Sequence, residues 1–270
     1  MSSGVAQGSI LSPDLFNLFV SDLNTTNSKS NLDKYADDTT LLFILQNAND
    51  IGELGSEILN IRNWANENKM VINDKKCKIL FFKKPNAFIC LLPNNLFGIE
   101  TCVSLKLLGV TFDDKLNFKD HFTVILRRAA QRLYFLRILK KHYQKDKLWQ
   151  IYYTLIRSIL EYAAPLFANL PKSICQDIEK IQKRAHRIIC GIQRTETCHD
   201  CHIISLEDRR TCLAQRLFDK MIKNDSHPLA NLLPPKRSNH TFIVPHINTN
   251  RFRDSFVNKC ILTANNTVIL

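Results

Sequence analysis

A chain of 270 residues, 45% hydrophobic and 23% charged with only seven Gly and nine Pro, can bury a core of its own, which excludes collagen-like, low-complexity and disulfide-stapled classes. Its 37 Lys and Arg outnumber 25 Asp and Glu, and a net charge of +12 attracts polyanions, nucleic acid above all, with an anionic membrane surface open on charge alone. No apolar run approaches the ~18 residues of a membrane span, the start Met1-Ser2-Ser3-Gly4 lacks the regions of a signal peptide, and nine scattered Cys suit reduced thiols; an intracellular protein with no membrane segment is expected.

In chain order, Ser12-Pro13-Asp14 suits a helix start, with Pro where its missing N–H costs nothing. Leu15, Phe16, Leu18, Phe19, Val20 and Leu23 then spell an apolar helix, expected to be buried. Lys34-Tyr35-Ala36 and Thr39 to Leu45 read as strands about a tight turn at Asp37-Asp38. The next helix has Ile51, Leu54, Ile58, Ile61 and Trp64 or Ala65 on one side. Val71-Ile72, Cys77 to Phe82, Val103 to Leu105 and Leu107 to Phe112 are strand candidates. Helix and strand alternate, so the predicted fold class is α+β, with the first part ending near 117–120.

From Lys119 to Arg187, fifteen Lys or Arg stand against five Asp or Glu. Phe122, Ile125, Ala129, Leu133, Leu136 and Leu139 recur at helical spacing and leave Arg127, Arg128, Arg132 and Arg137 largely off the stripe. Leu148, Ile151, Leu155, Ile159 and Tyr162 make a second stripe, and Ile174, Ile178, Ile181, Ala185 and Ile188 a third beside Lys183 and Arg184. Ser205 and Asp208 resemble a capping box before a fourth. Basic faces are commonly just solvated, but several in succession favour phosphate contact. The organisation expected is an α+β part over 1–118, a basic all-α region over 119–224 and a Pro-containing extended tail over 225–270.

Asp37 and Asp38 are adjacent carboxylates at an apolar hairpin tip. Such hard oxygen donors suit Mg²⁺ shared with substrate phosphates, and Asp-Asp before Thr is equally ordinary turn chemistry. The setting is more specific. Tyr35-Ala36-Asp37-Asp38 resembles the catalytic hairpin of reverse transcriptases, and Gly4-Val5-Ala6-Gln7-Gly8-Ser9 through Ser12-Pro13 resembles their template- and nucleotide-contacting motif. Leu15-Phe16-Asn17-Leu18-Phe19, Asn73 with Lys76, Leu107-Leu108-Gly109-Val110, Arg157 to Tyr162 and Asn250 to Phe256 are similar to further landmarks of the non-LTR, LINE-like, Jockey-type branch.

That resemblance implies a partial polymerase palm followed by a basic thumb, catalysing RNA-directed DNA synthesis by two-Mg²⁺ nucleotidyl transfer. It implies metal-ligating roles for Asp37 and Asp38 and a charge partner for pyrophosphate in Lys76. Gly4, Gln7, Gly8 and Ser9 would contact template or nucleotide, and Leu108 and Gly109 would grip the primer. Arg127, Arg128, Arg132, Lys183 and Arg184 would meet the nucleic-acid backbone. The implied partners are an RNA template, a DNA primer and dNTPs, and the implied location is the nucleus.

Such polymerases also carry a metal-binding aspartate and fingers upstream of the Gly-rich motif, and an endonuclease; none is found in these 270 residues. The expectation is therefore a fragment of a longer polyprotein, with little or no polymerase activity by itself; a non-catalytic nucleic-acid-binding remnant is the alternative, and an unselected relic a third. Cys198 and Cys201 have the spacing of half a zinc site, but no second pair closes a tetrahedron, so a loop with incidental thiols is expected.

Overall fold

Helix α1 (Ser12–Phe19) starts with Pro13 in its first turn and is the first element of a unit that runs Met1–Leu105; a second unit runs Lys106–Leu270. The computed structural model describes residues 8–83, 93–191, 204–224, 226–237 and 241–268. No residue of α1 is buried, and Leu15, Leu18 and Phe19 are exposed, which corrects the expectation of a buried helix. A two-turn helix that is apolar nearly all round cannot bury every side against one neighbour: Phe19 meets Trp64 edge-on and Phe16 is half-buried beside Phe19, while Leu15 and Leu18 stay open. The buried residues lie just beyond, at Val20 and Leu23, whose carbonyls both accept from Lys34 Nζ at 2.7 and 2.8 Å.

Strands β1 (Ser30–Tyr35) and β2 (Asp38–Phe43) pair antiparallel from Ser30↔Phe43 to Tyr35↔Asp38. The turn is thus Ala36-Asp37, one residue earlier than expected, with Ala36 at φ 51° and Asp38 opening β2. Helix α2 (Asp50–Glu67) turns Leu54, Glu57 and Ala65 inward. Glu57 Oε1 accepts from the Thr26 amide at 2.9 Å, while Lys29 Nζ sits 2.8 Å from Asp50 and 3.1 Å from Glu53, so carboxylates of α2 hold the approach to β1. Strands β3 (Lys78–Leu80), β4 (Asn95–Leu96) and β5 (Ile99–Cys102) form a sheet in the order β3-β5-β4, with β3 parallel to β5. Val71-Ile72 is not a strand: Val71 stands almost wholly in solvent, with no ladder to join.

Hydrogen bonds from Lys29, then from the Gln46 amide, hold the Asp50 carboxyl down at about 2. A depressed carboxyl stabilises fully above its unfolded value, and that contribution disappears as pH falls through the folded one. In a Trp149→Phe background, where Trp64 reports on the first unit, unfolding should become acid-sensitive from about pH 4 downward to about pH 2. Asp50→Asn should flatten that limb; an unchanged acid profile would contradict it.

In the second unit β6 (Ser104–Leu107), which begins in the first, pairs with β7 (Val110–Asp113). Then come α3 (Lys119–Leu139), α4 (Lys145–Ile151), a π-helical stretch (Tyr152–Arg157), α5 (Ser158–Glu161), a 3-10 turn (Ala164–Phe167), α6 (Lys172–Cys190) and α7 (Leu206–Lys223). Phe122, Ala129, Leu133 and Leu136 of α3 share a core with Ile178, Ala185 and Ile189 of α6 and with Leu148, Tyr152, Ile156 and Leu160, as the apolar stripes require. The buried Tyr152 phenol donates to Gln182 Oε1 at 2.8 Å, which satisfies both polar groups. Ser205 Oγ accepts from the Asp208 amide at 3.0 Å, so the expected cap of α7 is formed, and Glu179 of α6 accepts from the Leu206 and Glu207 amides beside it.

The break expected near 117–120 falls instead at 105/106, because β7 is sewn to α3. The buried Asp113 accepts from the amides of Lys115, Asn117 and Phe118, and the Thr111 amide donates to His121 Nδ1 at 3.3 Å. Residues 225–270 are likewise not a loose tail. After a Pro-containing stretch, α8 (Asn250–Arg253) and α9 (Phe256–Val268) form, and Cys260 and Ile261 of α9 pack with Ala214 and Phe218 of α7 and with Phe242. The last proline is Pro245, so nothing beyond it interrupts the helical spacing. Among the described residues no helix is long and apolar enough to cross a membrane.

Candidate active site

The β1–β2 hairpin carries Asp37 in its turn and Asp38 at the start of β2, both exposed. Among the described residues neither side chain enters a hydrogen bond or an ion pair. Ala36 holds a left-handed conformation that an L-residue adopts at a cost of about 1–2 kcal/mol, and the ladder on either side fixes it there. Two hard oxygen donors on consecutive residues, paired with no cation among the described residues, have the chemistry of divalent-metal ligands. Among the described residues no three His, Cys, Asp or Glu side chains are grouped to hold a metal ion, so the pair fits part of such a site and not the whole of it.

Upstream, Gly8 (φ 84°) uses the freedom only glycine has without strain, and the Ser9 carbonyl accepts from the Ser12 amide at 3.3 Å, leading an exposed turn into α1. Gly4 and Gln7 lie outside the described residues, as do Cys198 and Cys201. Lys76 is exposed in the turn before β3, its amide bonded to the Asn73 carbonyl at 2.9 Å, and the Arg62–Asp74 ion pair at 2.9 Å pins that turn to α2. Asp22 accepts from Trp64 Nε1 at 3.1 Å, a structural bond between the end of α1 and α2. Gly8, Ser9, Asp37, Asp38 and Lys76 therefore all belong to the first unit. Leu108 and Gly109 belong to the second, where they form the β6–β7 turn with φ of 45° and 86°.

The basic residues sort into two kinds. Arg127 and Arg128 of α3 and Lys183 and Arg184 of α6 are exposed. Arg132 differs from its expected role: half-buried, it donates to the Leu155 carbonyl and straps α3 to the π-helical stretch, so part of its donor fork is already used. Helix α3 carries a single acidic residue, Asp120. Tyr134, Phe135 and Ile138 are exposed on the face that also bears Arg127 and Arg128, one heptad earlier, so aromatic and guanidinium groups share one outward surface. The seven-residue spacing was the signal available for these aromatics in the sequence. His121 and Asp113 carried no comparable signal; burial of the imidazole pushes the His121 pKa down, consistent with a ring nitrogen that accepts from a backbone amide.

Residues 1–112 match the family model described as reverse transcriptase (RNA-dependent DNA polymerase). Residues 120–156, on α3, α4 and the following π-helical stretch, match the model for the N-terminal part of alkylated DNA repair protein alkB homolog 8. Over 87% of its length the chain is 26% identical to the probable RNA-directed DNA polymerase from transposon BS of Drosophila melanogaster. It is 25% identical over 82% of its length to the RNA-directed DNA polymerase from mobile element jockey of the same species, and 25% over 88% to the probable one from transposon X-element. The chain spans about a quarter of the length of these relatives, 28%, 26% and 28% respectively. No solved structure matches.

Proposed function

We infer that this chain, which carries a reverse transcriptase domain over residues 1–112 and is related to the polymerases of non-LTR retrotransposons, is the part of an RNA-directed DNA polymerase that holds the primed template and half of the metal site. The observation that carries the reading is the Asp37-Asp38 pair, exposed at a hairpin tip inside the matched segment and not spent on any ion pair among the described residues. Its hairpin would be part of the palm and the basic helices the thumb. Asp37 and Asp38 would hold Mg²⁺, which when bound supplies charge for a developing alkoxide and a leaving pyrophosphate. Ser9 and Gly8 would line the nucleotide, and Lys76 would offset pyrophosphate charge. A third ligand must come from outside the described residues.

That incompleteness favours a second reading, a non-catalytic nucleic-acid-binding protein, because the basic helices need no metal to work. The experiment is a salt titration of binding to a primed RNA–DNA hybrid, with dNTP incorporation in Mg²⁺ followed in the same tubes. Steep, salt-dependent affinity for the hybrid is expected. Arg127→Gln, Arg128→Gln, Lys183→Gln and Arg184→Gln together should reduce the slope of log K against log salt by about three to four, since each phosphate contact contributes about 0.9. Hybrid binding with no incorporation under any condition favours the second reading, and no hybrid binding at low salt overturns both.

A further inference from the structure

The β6–β7 turn is built against its own preferences. A two-residue turn with positive φ at both positions is suited to Asn-Gly, and here its first position is Leu108 at φ 45°. Gly109 supplies the second, at φ 86°, and a Cβ there would lie 3.3 Å from the Tyr162 ring. The Tyr162 hydroxyl donates to the Leu108 carbonyl at 2.7 Å, across 54 residues, although half of the ring is exposed. Tyr162 is itself held. It follows Glu161, which pairs with Arg157 at 3.5 Å and accepts from Arg209 Nη2 of α7 at 3.0 Å. It precedes Ala163, a second left-handed non-glycine residue at φ 54°. Two disfavoured backbone conformations thus flank one hydrogen bond, and strain of this kind persists only where the surroundings over-determine it.

We propose that Tyr162 is a positioning residue that braces the Leu108-Gly109 turn, fixing the Leu108 side chain outward so that the turn can seat a primer's recessed 3′ end. The brace stands on the geometry of the second unit alone; its use rests on the polymerase reading above. Leu108 is 44% exposed, an apolar side chain of the kind that packs against a sugar. Tyr162→Phe removes the donor and keeps the ring under Gly109. In the full chain it should quicken hydrogen exchange at the Val110 to Asp113 amides about fivefold, the effect of one lost hydrogen bond. Leu108→Asn, which suits the turn without a brace, should restore protection in the Tyr162→Phe background. Affinity for a hybrid with a recessed 3′ end should fall by about the same fivefold in Tyr162→Phe, with blunt-hybrid affinity unchanged and Tm lowered by no more than the loss of one hydrogen bond accounts for. Unchanged exchange, no rescue by Leu108→Asn, or equal loss on both hybrids would overturn the proposal. Faster exchange rescued by Leu108→Asn, in a wild-type chain with no preference for recessed ends, supports the brace and overturns the polymerase reading of its use.

Discussion

Replacing Asp37 with Ala is expected to lower template-dependent dNTP incorporation, by the chain or by a longer protein that carries it, by about a thousandfold or more. On the polymerase reading proposed above, several kcal/mol of charge stabilisation at the reacting oxygens would depend on metal held by this side chain, and ~4 kcal/mol corresponds to three decades in rate. The same change should leave the fold intact. The Asp37 side chain is exposed and, among the described residues, makes no hydrogen bond or ion pair whose loss would cost stability. The hairpin itself is kept by six paired positions from Ser30↔Phe43 to Tyr35↔Asp38, none of which uses that carboxylate. Hybrid affinity and thermal midpoint should therefore match wild type while incorporation disappears. A fall in all three together would mean that Asp37 has a structural task, and undiminished incorporation would remove it from the chemistry.

That separation between chemistry and stability explains which features were legible in the sequence. The motif around Asp37 and Asp38 stands out in the sequence because exposed acidic residues interrupt the apolar pattern around them, and it lies inside the stretch that matches the reverse transcriptase model. The helical stripes were readable for the opposite reason: Phe122, Ala129, Leu133 and Leu136, or Ile178, Ala185 and Ile189, repeat at the helical period and are buried together. Where an element lacked either property, the reading failed. The apolar residues of α1 report hydrophobicity and not what covers them, so Leu15 and Leu18 were expected inside and are found outside. The Ala36-Asp37 turn was placed one residue late because a left-handed alanine gives no compositional sign. Strands β4 and β5 are two and four residues long, too short for alternation to register. Tyr162 lies on an apolar stripe, and its bond to Leu108 joins positions that no local pattern connects.

Asp113 is the strongest case of a residue hidden in this way, and Asp113→Ala is expected to destabilise the second unit by about 3 kcal/mol, the scale of several lost charge-assisted hydrogen bonds at a buried site. Its Oδ1 accepts from the Lys115 and Asn117 amides at 3.0 and 3.1 Å, and Oδ2 from the Phe118 amide at 2.8 Å. Those bonds shape the loop that delivers Phe118, left-handed at φ 58°, to the start of α3, where its ring packs edge-on against Phe167. Alanine leaves three amides without their acceptor and frees the junction between β7 and α3. Asparagine should cost less, since its carbonyl can keep the two Oδ1 bonds while its NH₂ group meets the Phe118 amide donor to donor. Urea unfolding in a Trp64→Phe background, where Trp149 reports on the second unit, would measure the order wild type, Asp113→Asn, Asp113→Ala. Equal stability of the alanine and asparagine variants would show that the two Oδ1 bonds contribute nothing without the carboxylate's charge and second oxygen, which would contradict the expected order.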